Sequence, residues 1–171
     1  MPQDTNLHKA AYKGDIATVD DLLSSGEDVN ARGAQQRTPL HRAVGKGHNS
    51  VVQLLVQKGA VPDLVDQGGL TSLHWAALFG LTDTAKILMD AKSDINAQTK
   101  TGETPLHLAA EKGKIDMVKY LLELGCKTDI RDKGAGGGAT AYDAAKRSGQ
   151  KEISELLKPV GASGGGCCVI Q

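Results

Sequence analysis

A period of 33 residues constrains this chain more than any other feature of it. Thr38-Pro-Leu-His41 returns as Thr71-Ser-Leu-His74 and Thr104-Pro-Leu-His107, each 33 residues on, and 33 residues earlier stands Thr5-Asn-Leu-His8. A divergent fifth copy, Thr140-Ala-Tyr-Asp143, follows after 36. The register extends beyond the tetrad. The fifth residue after each Thr is Ala10, Ala43, Ala76, Ala109 and Ala145, and the ninth is Gly14, Gly47, Gly80, Gly113 and Gly149. A repeat of this length marks stacked supersecondary units, each too small to bury its own apolar face.

The chemistry of one unit reads directly. Thr104 is a good N-cap, and Pro105 suits the first helical position, where its missing N–H costs nothing. Leu106, Ala109 and Ala110 give a short helix with a small apolar face, and Gly113 supplies the left-handed residue that stops it. A second helix is expected from Ile115 to Leu124, with Met117, Val118, Leu121 and Leu122 at helical spacing and Gly125 as its stop. The same core recurs as Val19, Leu22 and Leu23; Val51, Val52, Leu55 and Val56; Ile87, Leu88 and Met89; and Ile153, Leu156 and Leu157. Polar segments such as Asp28-Val-Asn-Ala31 and Asp94-Ile-Asn-Ala97 read as extended turns into the next unit.

The tetrad, the Ala and Gly positions and the DVNA and DINA elements together resemble the ankyrin-repeat family, over about residues 1–160. The resemblance implies an all-α ankyrin-repeat solenoid, in which helix–turn–helix units are joined by β-hairpin-like turns and the turns with the first helices make a concave face. Repeats are expected near 1–32, 33–65, 66–98, 99–134 and 135–160. Asp21 stands where later repeats have Leu54, Ile87 and Tyr120, and Lys146, Arg147 and Lys158 mark the last repeat, so both ends read as capped. Three departures stand out. Lys92 replaces the glycine that ends the other second helices, Gln36 replaces the turn glycine seen as Gly69, Gly102 and Gly138, and three extra residues fall within Lys133–Ala139. A left-handed Lys92 would cost around 1 kcal/mol, and the extra residues are expected to lengthen their turn into a mobile loop.

Composition removes several classes of function. Twenty basic and twenty acidic residues are spread evenly along the chain, so no basic face is expected and nucleic acid is not an expected partner. No apolar run reaches the roughly 18 to 20 residues of a membrane span, and the first residues lack a signal-peptide core; the chain reads as soluble and cytosolic. His8, His41, His74 and His107 are one repeat apart. Stacked helices lie roughly 8 to 10 Å apart, too wide for one metal ion with ligands near 2 Å. These histidines are read as hydrogen-bonders to neighbouring turns, and His48 as an exposed residue. Gly134-Ala-Gly-Gly-Gly-Ala139 satisfies a dinucleotide-binding spacing but lacks the βαβ context that gives the spacing meaning. No catalytic, metal or cofactor constellation is present.

By the resemblance, partners contact turn tips and exposed first-helix positions. Here these are Tyr12, Arg37, Lys46, Leu70, Trp75, Leu78, Phe79, Glu103, Glu111 and Lys112. The third repeat differs from the rest, since it holds the only Trp and the only Phe, and Leu70, Trp75, Leu78 and Phe79 are expected to gather on the concave face as an interface anchor. The plainer reading has Trp75 simply packing over its neighbour's first helix. The expected function is a monomeric, non-enzymatic scaffold that binds another protein. The chain also resembles the small ankyrin inhibitors of cyclin-dependent kinases, which makes stoichiometric inhibition the alternative.

After the repeats comes a Gly/Ser segment within residues 161–171, ending Cys168-Val-Ile-Gln171. A Cys, two aliphatics and Gln form a CaaX box favouring farnesyl, and this resembles the lipidation tail of small GTPases. A single lipid anchors weakly, so Cys167 is the candidate for a second, palmitoyl group. The expected location is cytoplasmic, with peripheral membrane association through the tail.

Overall fold

Each unit is organised by a Thr and the His three residues after it. In Thr38, Thr71 and Thr104 the hydroxyl Oγ1 accepts the backbone N–H of His41, His74 and His107 at 3.4 Å, and the His Nδ1 in turn accepts the Thr N–H at 3.2 Å. Two N–H groups that the first turn of a helix leaves without partners are thereby satisfied. An Nδ1 that accepts cannot carry the ring proton, so the proton sits on Nε2 and points out of the unit. It is donated to the next turn: His8 to the Arg37 carbonyl at 2.9 Å, and His41, His74 and His107 to the carbonyls of Leu70, Glu103 and Ala139, each at 3.0 Å.

The computed structural model describes residues 3–134 and 136–158. Its α-helices are α1 (Asn6–Lys13), α2 (Ile16–Ser24), α3 (Pro39–Val44), α4 (Asn49–Gln57), α5 (Ser72–Phe79), α6 (Thr82–Asp90), α7 (Pro105–Glu111), α8 (Ile115–Glu123), α9 (Ala141–Arg147) and α10 (Lys151–Leu156). The odd-numbered helices stack on one another in one layer and the even-numbered in a second. The fold is thus the all-α solenoid expected, with no strand among the described residues. Alanine in the first helices lets them stack closely: Ala10, Ala43, Ala76, Ala109 and Ala145 are all buried, joined by Leu7, Leu40, Leu73 and Leu106.

The connecting turns have hairpin geometry held by very few bonds. Each is closed by a backbone bond from Gly33, Asp66, Thr99 and Asp132 N–H to the carbonyls of Arg37, Leu70, Glu103 and Ala139, at 2.8 to 2.9 Å, with a second bond inside it from Gln36, Gly69, Gly102 and Gly138 N–H to the carbonyls of Gly33, Asp66, Thr99 and Gly134. These four acceptors are the carbonyls that the histidines reach, so both lone pairs of each oxygen are used. Successive hairpin tips are then linked by single bonds, Gln67 N–H to Gln35, Lys100 N–H to Gly68 and Lys133 N–H to Thr101. At the hairpin before α3 it is the Asp4 carboxylate that takes the Ala34 N–H, at 2.9 Å.

The departures are resolved by geometry. Lys92 does adopt a left-handed backbone, with φ of 65°, and both Gln35 and Gln36 sit at φ 58° where the next two hairpins use a single glycine, Gly69 and Gly102. The extra residues before the fifth repeat bulge outward through Gly136, Gly137 and Gly138, all at positive φ, while the Asp132–Ala139 closure keeps the length found in the shorter hairpins. Gly14 shows why the ninth position excludes a side chain: its φ is 79°, and a Cβ there would lie 2.7 Å from His48 Nδ1.

Two expectations are corrected. His48 is not an ordinary exposed residue but half-buried against Gly14, with its Nε2 3.1 Å from the Tyr12 carbonyl. Leu156 is 39% exposed. It stands at the register of Leu54, Ile87 and Tyr120, and among the described helices α10 packs chiefly against α9 and α8. In α6 the buried set is Thr84, Ala85 and Leu88, with Ile87 and Met89 only half-buried.

Burial pushes the His41 imidazole down from 6.5 to about 4, and lowers His74 in the same way. The unfolded chain takes up these protons near pH 6.5, whereas the folded chain refuses them until the pH is much lower. Stability is therefore fully present above pH 6.5 and falls as pH drops towards 4, by roughly 2 kcal/mol at pH 5 from His41 alone. Urea unfolding at pH 7 and pH 5 measures the drop, and His41→Gln should start less stable and lose less between the two; equal losses in both proteins would contradict this account.

Candidate functional site

The hairpin that opens the third repeat carries a buried carboxylate. Asp66 is 6% exposed, and its Oδ1 accepts the N–H groups of Gly68 and Leu70 at 2.8 and 3.0 Å, shaping the hairpin from inside. Its Oδ2 accepts the indole N–H of Trp75 at 3.2 Å and lies 3.7 Å from Arg37 Nε. One side chain thus fixes a turn, an indole and a guanidinium. Arg37 lies over the Trp75 ring with its central carbon 4.3 Å from the centroid, and Phe79 leans against the same indole with centroids 5.8 Å apart and planes tilted by 42°.

Trp75 has a structural role as well. A Cβ on Gly45, at the end of α3, would come within 3.2 Å of the indole, so Trp75 does pack over the preceding repeat. It nevertheless remains half-buried, and Phe79, one helical turn on, is 45% exposed. Leu70 and Trp75 line one open groove together with Gln35, Arg37 and Gln67. Leu78 is half-buried on α5 and lies outside that groove's lining.

The other candidates fall into two further groups. Lys46 Nζ stands 4.6 Å above the ring of Tyr12, which is 47% exposed. Glu103 and Glu111 line a cleft of about 510 Å³ with Thr101, Asp132, Lys133 and Arg147, and Lys112 pairs with Glu111 at 2.7 Å. Both clefts lie on the side of the hairpin tips and first helices. Sequence reasoning missed Asp66, although a signal existed: the same register holds Gly33 and Thr99 in two other hairpins. It also missed Arg42, whose guanidinium holds Asp4 at 2.7 Å. Burial alone would raise the Asp4 carboxyl; its bonds to Arg42 and to the Ala34 N–H outweigh that and keep it below the usual range.

Charge that is even along the chain is uneven across it. Hairpins and first helices (residues 3–13, 32–47, 65–80, 98–113 and 131–149) carry twelve basic and six acidic side chains, while the second helices and the loops after them (14–31, 48–64, 81–97, 114–130 and 150–158) carry eight and fourteen. The side of the hairpins and first helices is basic after all. Burial lowers the Arg37 guanidinium first, and the neighbouring Arg42 charge adds to it, against the opposing pull of Asp66.

Among the described residues no His, Cys, Asp and Glu group could hold a metal ion, and no helix is long and apolar enough to cross a membrane. Cys126 is buried, and its thiol is pushed up to about 11 by that burial, so it is un-ionised at neutral pH. Cys167 and Cys168 lie outside the described residues.

A family model for ankyrin repeats (three copies) matches residues 7–99 and 83–164. No curated protein matches the chain.

Asp66→Asn tests the linchpin of the groove. Loss of the charge removes the Arg37 attraction and weakens three charge-assisted hydrogen bonds, for an expected destabilisation of about 1 to 3 kcal/mol. Emission from Trp75, the single tryptophan, should shift to the red as the indole loosens. An unchanged melt and spectrum would remove Asp66 from this role.

Proposed function

The chain belongs to the ankyrin-repeat family, a protein–protein interaction module, and from that premise we propose that it is a monomeric, non-enzymatic adaptor whose concave face holds a partner protein and whose lipidated tail sets its location. The observation that carries the reading is the Arg37–Trp75–Phe79 cluster. Interface anchors are enriched in Trp, Tyr and Arg, and Phe79 is a large apolar side chain left 45% exposed beside an indole and a guanidinium already fixed in place. Anchors that are rigid before binding lose little freedom on binding. Phe79 takes no part in the buried core, so truncating it separates binding from folding.

The tail supplies the second half of the reading. A cysteine three residues from the C-terminus, behind a segment rich in Gly and Ser, suits entry of its thiol into a transferase. Farnesylation at Cys168 with acylation at Cys167 would provide the two signals that stable attachment needs. The native location is then the cytoplasmic face of a membrane.

Two measurements test this. Affinity capture from the native cell should lose its specific partner, by about tenfold or more, with Phe79→Ala while the thermal melt stays within about 1 °C of the parent; Leu78→Asp should act in the same direction. Retained capture by both variants would refute the binding face. Intact-mass analysis of protein from eukaryotic cells, with Cys168→Ser as control, should show a prenyl adduct and loss of Val-Ile-Gln; an unmodified terminus refutes the tail.

A further inference from the structure

The basic side of the stack has a specific arrangement in its second repeat, where Arg32, Arg37, Arg42 and Lys46 occur with no acidic residue between Gly33 and Val65 except Asp63, which lies in the loop after α4. Three of the four are fixed by the fold. Arg32 donates to the Gln36 and Val65 carbonyls, Arg37 lies over Trp75, and Arg42 is held by Asp4. The Nε atoms of Arg37 and Arg42 are buried and make no hydrogen bond among the described residues. Lys46 is exposed above Tyr12 and forms no ion pair among the described residues, as is also true of Lys9 and Lys13 on α1. Next to this cationic strip stand Trp75 and the exposed Phe79.

We propose that this face binds an extended, acidic protein segment with one apolar anchor, its carboxylates lying along Lys13 and Lys46 and its aromatic or aliphatic side chain against Trp75 and Phe79. The inference rests on the adaptor reading above and names the chemistry of its partner. Complementary charge favours encounter and excludes basic competitors. It is also a choice against nucleic acid. One face of Trp75 is covered by Arg37 and one face of Tyr12 by Lys46, which removes stacking surface that bases use. Asp66, Glu103, Glu111 and Asp132 lie on the same side, where they would repel a phosphate backbone; in the strip from α1 to α3 the carboxylate present, Asp4, is taken up by Arg42, which leaves Lys13 and Lys46 to a short acidic segment.

The single tryptophan makes the site its own reporter. The test titrates the full chain with a Trp-free peptide of glutamates flanking one Phe, and compares a peptide with Lys for each Glu, one with Ala for Phe, and single-stranded oligothymidylate. The Glu/Phe peptide should move Trp75 emission to the blue, weaken by about tenfold or more between about 0.05 and 0.5 M salt, and weaken by a similar factor with Lys13→Glu plus Lys46→Glu, both exposed positions. The Ala-for-Phe peptide should bind less, and the lysine peptide and oligothymidylate not at all. Binding of the lysine peptide as tight as the acidic one, tighter binding of oligothymidylate, insensitivity to salt, or silence from every peptide each overturns the proposal. Loss of partner capture in Phe79→Ala with no effect of the lysine reversals would leave the adaptor reading standing and remove this one.

Discussion

One carbonyl oxygen per hairpin carries the stack. The oxygens of Arg37, Leu70, Glu103 and Ala139 each accept the bond that closes their own hairpin and the Nε2–H of the histidine in the repeat before. Because the same imidazole caps its helix through Nδ1, the start of each first helix and the turn of the next unit are set by one rigid ring. At His41 and His74 desolvation favours the neutral ring that can accept and donate at once, and it outweighs the bonds to the Leu70 and Glu103 carbonyls, which pull the other way. The fifth unit shows the logic by its exception. Asp143 accepts the Thr140 N–H at 3.0 Å and so performs the local half of the task, but a carboxylate has no second nitrogen with which to reach onward.

The binding side is a consequence of that frame. Hairpins held at a fixed height above the first helices leave a shelf, and what stands on the shelf is decided by residues that the frame does not use. In the third repeat Asp66 turns the hairpin and, with its other oxygen, ties down Trp75 beside Arg37. In the fifth, Asp132 makes the comparable turn, accepting Gly134 and Ala139 N–H groups that lower its pKa, with no indole for its second oxygen. The same local device thus serves shape alone in one hairpin and shape plus an aromatic anchor in another. The second layer of helices takes no part in this and carries the excess of acidic residues.

Much of this was legible because a short-range pattern encodes it. Capping by Thr, stopping by Gly and the apolar spacing of the second helices act within a few residues, and repetition at a fixed distance multiplies a weak local signal into a firm one. Trp75 and Phe79 are four apart on one helix, and their contact followed from helical geometry. Two features resisted such reading. Leu156 has the spacing of a core residue, but whether a helix is covered on its far side depends on what stacks there. His48 has no motif of its own, and its burial comes from the glycine of the preceding repeat lying beneath it.

The sequence by itself therefore determined the unit, its register and its stacking, since each rests on local hydrogen bonding and on side-chain size repeated at a constant interval. Tertiary structure alone decided that Asp66 joins Arg37 to Trp75, that the Asp4 carboxylate takes the Ala34 N–H, and that an evenly charged chain has a basic side. All three are relations between residues brought together by winding, with partners from nine to thirty positions apart. Charge alternates along the chain but sorts by layer in the stack, because each unit places its hairpin and first helix on one side and its second helix on the other.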